Sequence, residues 1–444
     1  MMAAAPPINQ EEAARPRRAT YTVWILFVVA VLNIVDRQVI NVLADPISKE
    51  LQLTDTQIGL LTGLAFAVFY NLSSIPLGRF ADRPSTNRSH LIAGSLAVWS
   101  AATALCAAAG NYAHLVTARI AVAASEAGCT PPAHSLIADR VPLARRARAL
   151  AIFGLGVPVG ALIGKAGGGI LAEAVGWRSA FLIVGLPGIV LAVIFFATVR
   201  EPRREKDYGA RVPMSFGKAF RLFARSPALL WMSAGTASAM LLVTGGSVWG
   251  MIHFLRNHEL DTATAGVWLG LSGGIAGVTG TWLGGWTADK FGRDRPALYM
   301  LPAMIGMLLS VPLLFFAWKS QNWHFAIILL FLPDMFDNMY YGGTFAAIQS
   351  LVPEEMRATA TAFFLFTTTM IGTGLGALSF GAVSDFLQPW AQGSESVRWV
   401  LMGAALLYSV PAFCYWRASR ALSRELQRPD GSAGSVAIEV PAAG

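Results

Sequence analysis

Residues 78–83, GRFADR, and residues 285–293, GWTADKFGR, decide the architecture, because one loop pattern occurs twice, 207 residues apart. Each copy follows a long apolar run. A second pair, Val141-Pro142 with Arg146-Ala147 and Val352-Pro353 with Arg357-Ala358, recurs at an offset of 211. Two independent matches at nearly equal spacing mark a duplicated unit, and many membrane transporters are built from such repeats.

The composition points to lipid as the solvent. Of 444 residues, 55% are hydrophobic and 14% charged, whereas a soluble domain is about 25% charged. The mean hydropathy is +0.52. Runs of ~20 mostly apolar residues, each long enough to cross ~30 Å of hydrocarbon, recur along the chain. Charges, Pro and Gly bound twelve expected spans at 20–47, 56–80, 88–110, 113–139, 146–173, 178–199, 227–255, 262–288, 295–318, 322–351, 357–386 and 396–418. The expected protein is therefore an all-α polytopic membrane protein, with 12 transmembrane helices in two pseudo-symmetric six-helix bundles. The bundles cover 20–199 and 227–418, between a tail at 1–19, a linker at 200–226 and a tail at 419–444.

Lys and Arg set the orientation, since they are retained on the cytoplasmic side. Of the 34, 26 fall on the side that holds both termini, 5 on the opposite side, and Arg37, Arg119 and Lys165 inside spans. Both termini are expected in the cytoplasm of a multi-pass cell-membrane protein. The net charge of +8 then needs no nucleic-acid partner, because its basic residues lie mainly where anionic lipid also lies. The apolar run from Tyr21 to Val35 lacks a small-residue cleavage site and continues to Pro46, so it reads as a retained first span. Cys106, Cys129 and Cys414 all fall within spans, too scattered for a disulfide framework or a metal site. In the linker, Met214, Phe216, Phe220, Leu222 and Phe223 among Lys218, Arg221 and Arg225 fit either a short helix on the membrane surface or an ordinary basic connector.

The G-x-x-x-D-R/K-x-G-R loop in both halves resembles the signature of the major facilitator superfamily, with Pro84-Ser85 in place of Gly-Arg in the first copy. Asn33 to Gln38, Asp55 to Phe66, Ile75 to Gly78, and Ser125-Glu126-Ala127 with Ile137-Ala-Asp139 are similar to the spinster branch, although Ser125 replaces that branch's usual Gly. The resemblance implies a major facilitator fold and secondary transport by alternating access. In animal relatives the spinster branch implies export of lysolipid or sphingoid lipid.

An ionisable side chain inside a span costs several kcal/mol unless paired or hydrated. Asp36 and Arg37 lie near the middle of the first span, and adjacent helical residues point ~100° apart, so they cannot both face one partner. The fourth span offers Arg119 and Glu126, seven residues apart, which returns them to one face at ~10.5 Å. Asp36, Arg37, Arg119 and Glu126 are therefore the expected proton-coupling cluster. Loss of water disfavours a charged carboxylate and a nearby arginine favours it. Proton uptake would free an arginine for substrate, and substrate release would restore the ion pair. Fixed salt bridges that lock spans 1 and 4 are the alternative.

Gly78, Asp82, Arg83, Asp289 and Lys290, at the cytoplasmic ends of spans 2 and 8, are expected to form a gate with Arg146 and Arg357. Gly156, Gly160, Gly164 and Gly168 in span 5, and Gly266, Gly270 and Gly274 in span 8, repeat every fourth position. Small residues at that period let backbones approach, so spans 5 and 8 are expected to meet across the moving interface, with static packing as the alternative. Gly154 to Gly160 with Pro158 also resembles the glycine-proline motif of antiporters.

Expected substrate-binding residues are Arg119 and Glu126, then Trp249 and His253 on span 7, Asp337 and Tyr341 on span 10, and Phe363 and Phe366 on span 11. Asp334 and Met370 lie near them in sequence, and Lys165 can meet a phosphate or extend toward the interface. The expected partners are protons, an amphipathic lipid or small organic substrate, and membrane lipids, with the chain acting as a monomer without cofactor or metal. Small organic anions or drugs remain an alternative cargo. A membrane-embedded enzyme is disfavoured: His134 and Asp139, five residues apart on a helix, point ~140° away from each other. Asp334 and Asp337 share a face but lack a third metal ligand.

Overall fold

The computed structural model describes residues 10–83, 85–201, 223–292, 296–352, 357–391 and 395–426. The linker helix expected among Met214, Phe216, Phe220 and Leu222 lies outside them. The described chain is helical, and no strand occurs among its residues. In hydrocarbon every backbone N–H and C=O must be satisfied within the chain, which a helix achieves locally. Helix starts follow from capping chemistry: Asn87, Asn111, Ser226, Asp261 and Asn322 each accept a first-turn N–H with their side chains.

Eight helical stretches among the described residues are long and apolar enough to cross a membrane. The stretch Arg148–Thr198 contains two of the expected spans, separated at Gly176, whose φ of 77° is the left-handed conformation that glycine adopts without penalty. The expected fourth span is broken into Tyr112–Glu126 and Thr130–Arg140, and the tenth into Trp323–Phe336 and Tyr340–Leu351. The eighth is one helix, Thr262–Thr287, rich in Gly and Thr.

Contacts divide the chain into two compact units, Met1–Leu51 with Val68–Asp207, and Gln52–Ala67 with Tyr208–Gly444. The first part of span 2 packs with the second unit because Gly59 and Gly63 let its backbone lie against Gly374 and Ala377.

The glycine stripe of span 5 has a different partner from the one expected. A Cβ on Gly156 would stand 2.6 Å from Ala30 Cβ, one on Gly160 2.7 Å from Ile34 Cβ, and one on Gly164 2.7 Å from Gln38 Cβ. Helix Gly156–Thr198 thus packs on Gln10–Leu51 inside the first unit. On helix Thr262–Thr287 the tight positions are Gly280 and Gly284, against Met335 and Met339 inside the second unit. The span 5 stripe holds two helices together within one unit, which corrects the expectation of a sliding surface for that span. Overpacking such a contact costs about 1–3 kcal/mol. Gly160→Val is expected to lower the melting temperature of the purified protein, and Gly154→Ala, where a Cβ meets nothing within 4 Å, to leave it unchanged. Equal melting of the two variants would refute the packing assignment.

Candidate functional site

The first unit gathers Asp36, Arg37, Arg119 and Glu126 into one buried cluster. Asp36 and Arg37 follow one another on helix Gln10–Leu51 and diverge, as their helical angle requires. Arg37 turns to the end of helix Tyr112–Glu126, where its Nε donates to Glu126 Oε2 at 2.8 Å. Its guanidinium also lies 4.6 Å from the centre of the Tyr70 ring, a favourable cation–π distance. Asp36 turns to helix Arg88–Cys106, where Thr103 Oγ1 lies 2.7 Å from both carboxylate oxygens. Arg119 Nη1 stands 4.0 Å from Asp36 Oδ1, at the outer limit of an ion pair.

Exposure separates the members. Glu126 is sealed at 0%, while the Arg37 side chain keeps 28% of its surface accessible. Arg119 and Asp36 are almost fully buried. Glu126 Oε1 has no hydrogen-bond partner among the described residues. Beside Asp36 a void of about 10 Å³, lined by Trp99, Ser100, Gly185 and Gly188, is at the lower limit for holding one water. The sequence reading did not find Tyr70 and Thr103. Polar groups in otherwise apolar spans 2 and 3 were their signal.

Span 4 breaks at 127–129, directly after Glu126, and span 10 breaks at 337–339, an offset of 210 that matches the sequence repeat. The second break carries Asp337. Its Oδ2 accepts from Tyr408 Oη at 3.0 Å, and Oδ1 has no hydrogen-bond partner among the described residues. The carboxyl is 6% exposed. The first unit thus meets a buried acid with arginine, and the second meets one with a phenol.

A third arrangement, which sequence reasoning missed, holds the start of span 2. Asp385 accepts from Asp55 N at 3.1 Å, Thr56 N at 2.7 Å and Thr56 Oγ1 at 2.5 Å. Asp55 in turn pairs with Arg256 at 3.0 Å and accepts from Ser384 Oγ at 2.7 Å. All of these residues belong to the second unit.

The other expected residues are scattered. Trp249 and His253 are each 1% exposed. The Trp249 Nε1 donates to Ala377 O at 2.8 Å, and His253 packs edge-on to Trp318 and His258. Both are enclosed by neighbouring helices and do not line open space. Tyr341 and Phe366 are exposed, and Phe363 packs 4.8 Å from Phe223. In the expected gate, Gly78 has open space around it. Arg83 lies over Phe80, Arg146 donates to Ala138 O at 2.6 Å, and Lys290 lies 4.6 Å from the Trp286 ring. The side chains of Asp82, Asp289 and Arg357 are outside the described residues. His134 packs on Phe153 while Asp139 pairs with Arg88 at 2.6 Å, so those two do not converge as an acid–base pair.

Known proteins share this arrangement of helices. The major facilitator superfamily profile matches residues 26–377. The chain belongs to the major facilitator superfamily. It is similar to an MFS-type efflux pump of Mycolicibacterium smegmatis, 32% identical over 421 residues that cover 94% of this chain and 97% of that protein. It is also similar to human protein spinster homolog 1, 25% identical over 84% of this chain and 74% of the relative. The crystal structure of a bacterial homolog of the human lysosomal transporter spinster, inward-facing and unoccupied, superimposes with a TM-score of 0.85. That structure is 28% identical, over 93% of this chain and 99% of the other. The protein is a multi-pass membrane transporter of spinster-like type, not an enzyme.

Loss of a side-chain cap at a helix start costs about 1 kcal/mol, or roughly fivefold in opening. In this superfamily member, Asp385→Ala is expected to speed amide hydrogen exchange of Asp55 and Thr56 by about that factor, read on the peptide that spans the start of span 2. Unchanged protection there would show that Asp385 does not hold this segment.

Proposed function

We propose that the protein is a proton-coupled secondary transporter of an amphipathic organic molecule, in the lysolipid or sphingoid class, working by alternating access between two six-helix halves. One observation carries the reading: a fully buried carboxylate, Glu126, holds a part-exposed arginine, Arg37, by a 2.8 Å ion pair. Removing one charge from a buried pair leaves the other uncompensated. A proton on Glu126 therefore loosens Arg37, which is the cluster member with exposed surface. The freed guanidinium takes the phosphate or other anionic head of the cargo. Deprotonation recovers the ion pair and expels the head. Asp36, held by Thr103 and near Arg119, is the second carboxyl of the relay, and its charge state decides how firmly Arg119 stays with the first span.

A conformational bias follows only where a ligand binds the two states differently. Competition between proton and cargo for Arg37 supplies that difference. The loops around Gly78, Asp82, Arg83, Arg146, Asp289, Lys290 and Arg357 close the cytoplasmic side in one state. The Asp55, Arg256 and Asp385 group holds span 2 to span 11 in the other. Tyr341, Phe363 and Phe366 supply apolar surface for the cargo tail. The similarity to an efflux pump from Mycolicibacterium smegmatis favours a second reading of the cargo, small organic anions or drugs moved by the same cluster.

Liposomes that contain the purified chain and an imposed pH gradient separate the readings. Single-chain phospholipids are expected to move and hydrophilic anions to stay. Glu126→Gln and Asp36→Asn should each lower proton-driven flux by at least about tenfold, the equivalent of ~1.4 kcal/mol, while exchange of cargo without a gradient persists in Glu126→Gln. Undiminished proton-driven flux in both variants refutes the coupling site, and movement of hydrophilic anions alone selects the second cargo.

A further inference from the structure

A cavity of about 240 Å³ opens between the start of helix Pro227–Asn257 and the end of helix Ser409–Leu426, lined by Trp231, Arg417, Arg420, Arg424 and Glu425. Arg417, Arg420 and Arg424 stand three and four residues apart, so a helix brings them to one face. All three are exposed, and none forms an ion pair among the described residues. The only carboxylate in the lining, Glu425, is already engaged: it accepts from Ser226 Oγ at 2.7 Å and Ala228 N at 2.9 Å, closing the start of the neighbouring helix. Two of the arginines lie over aromatic rings, Arg417 5.1 Å from the centre of the Trp231 ring and Arg420 4.0 Å from that of Trp416. A contact with the ring face engages the guanidinium without using its N–H donors, which stay available for oxygen acceptors.

The surface leading to this cavity is apolar. Leu406, Val410 and Phe413 are about half exposed and follow one another at four- and three-residue steps, and the next step of four is Arg417. That stripe passes directly from hydrocarbon-facing side chains to the arginines, and tryptophans mark the depth of the membrane interface. The Lys and Arg distribution assigns this end of the bundle to the cytoplasmic leaflet, where anionic lipid concentrates.

We infer that this cavity is a binding site for the phosphate headgroup of an anionic phospholipid of the inner leaflet, separate from the cargo site. Arg417, Arg420 and Arg424 hold the phosphate oxygens, and the acyl chains lie along Phe413, Val410 and Leu406. A free phosphate ion would satisfy the arginines but would gain nothing from the apolar stripe.

The full chain, purified in mild detergent and exchanged against phosphatidylglycerol or phosphatidylcholine, tests this by counting retained lipid with native mass spectrometry. The unmodified protein is expected to retain phosphatidylglycerol in preference to phosphatidylcholine. Each of Arg417→Gln, Arg420→Gln and Arg424→Gln should lower phosphatidylglycerol retention by about fivefold, without changing phosphatidylcholine. Arg145→Gln, which removes an exposed arginine elsewhere, should change neither. Equal retention of the two lipids by the unmodified chain overturns the inference, as does unchanged phosphatidylglycerol retention in the triple variant. Displacement of phosphatidylglycerol by inorganic phosphate at low concentration would identify an ion site and overturn the lipid assignment. If the triple variant does not fold, the single variants and the lipid preference of the unmodified chain still decide.

Discussion

A charge placed among apolar helices must be met by an opposite charge or by hydrogen bonds, and the first unit is organised around that constraint. Glu126 has no exposed surface and one strong partner, Arg37. Removal of a single partner from such a pair typically costs 3–5 kcal/mol, so the arrangement is stable only while its charges balance. Asp36 and Arg119 extend the same balance, with Thr103 satisfying the carboxylate where the arginine stands too far for a close bond. The four groups sum to zero formal charge, which makes their burial tolerable.

The second unit meets the constraint differently at the corresponding place. Spans 4 and 10 break at an offset of 210, and each break leaves a buried acid beside a non-helical turn. Turns of that kind free backbone groups inside a bundle, where only neighbouring protein can satisfy them. Glu126 is partnered by a guanidinium, whereas Asp337 is partnered by the Tyr408 hydroxyl. A phenol stabilises a carboxyl by donating a hydrogen bond and adds no charge. Duplication therefore preserved the geometry of the break while the chemistry of the two halves diverged.

Much of this was legible in the sequence. The repeat and the apolar runs follow from local chemistry, and local chemistry is what a single sequence exposes. Charges inside spans were legible for the same reason, since Asp36, Arg37, Arg119 and Glu126 are conspicuous in an apolar context. Partner choice was not. Gly156, Gly160 and Gly164 announce a close contact, but which helix fills it depends on tertiary packing, and the answer is span 1. Trp249 and His253 have the chemistry of a binding surface, yet their orientation encloses them between helices. The grip of Asp385 on Asp55 and Thr56 joins residues about 330 positions apart, and no periodicity within one span encodes it.

That grip has a consequence for span 2 itself. The helical run from Asp55 to Asp82 is divided between the two units at Ala67 and Val68. Its first part contains a π-helical turn, Leu60–Leu64, and the helix it packs against contains another, Thr369–Thr373. A π turn inserts an extra residue into the helical ladder and marks places where a helix changes direction or serves a function. Parting residues 52–67 from residues 374–387 requires breaking the bonds to Asp385 and the Asp55–Arg256 pair at one end. It also requires separating backbones that touch only because Gly59, Gly63 and Gly374 carry no side chains. The polar contacts are shielded, with Asp55 only 4% exposed, and the glycine contacts bring backbone against backbone and small side chains. The start of span 2 is thus fixed to residues 374–387 within the second unit by polar bonds at one end and by close backbone packing along its length.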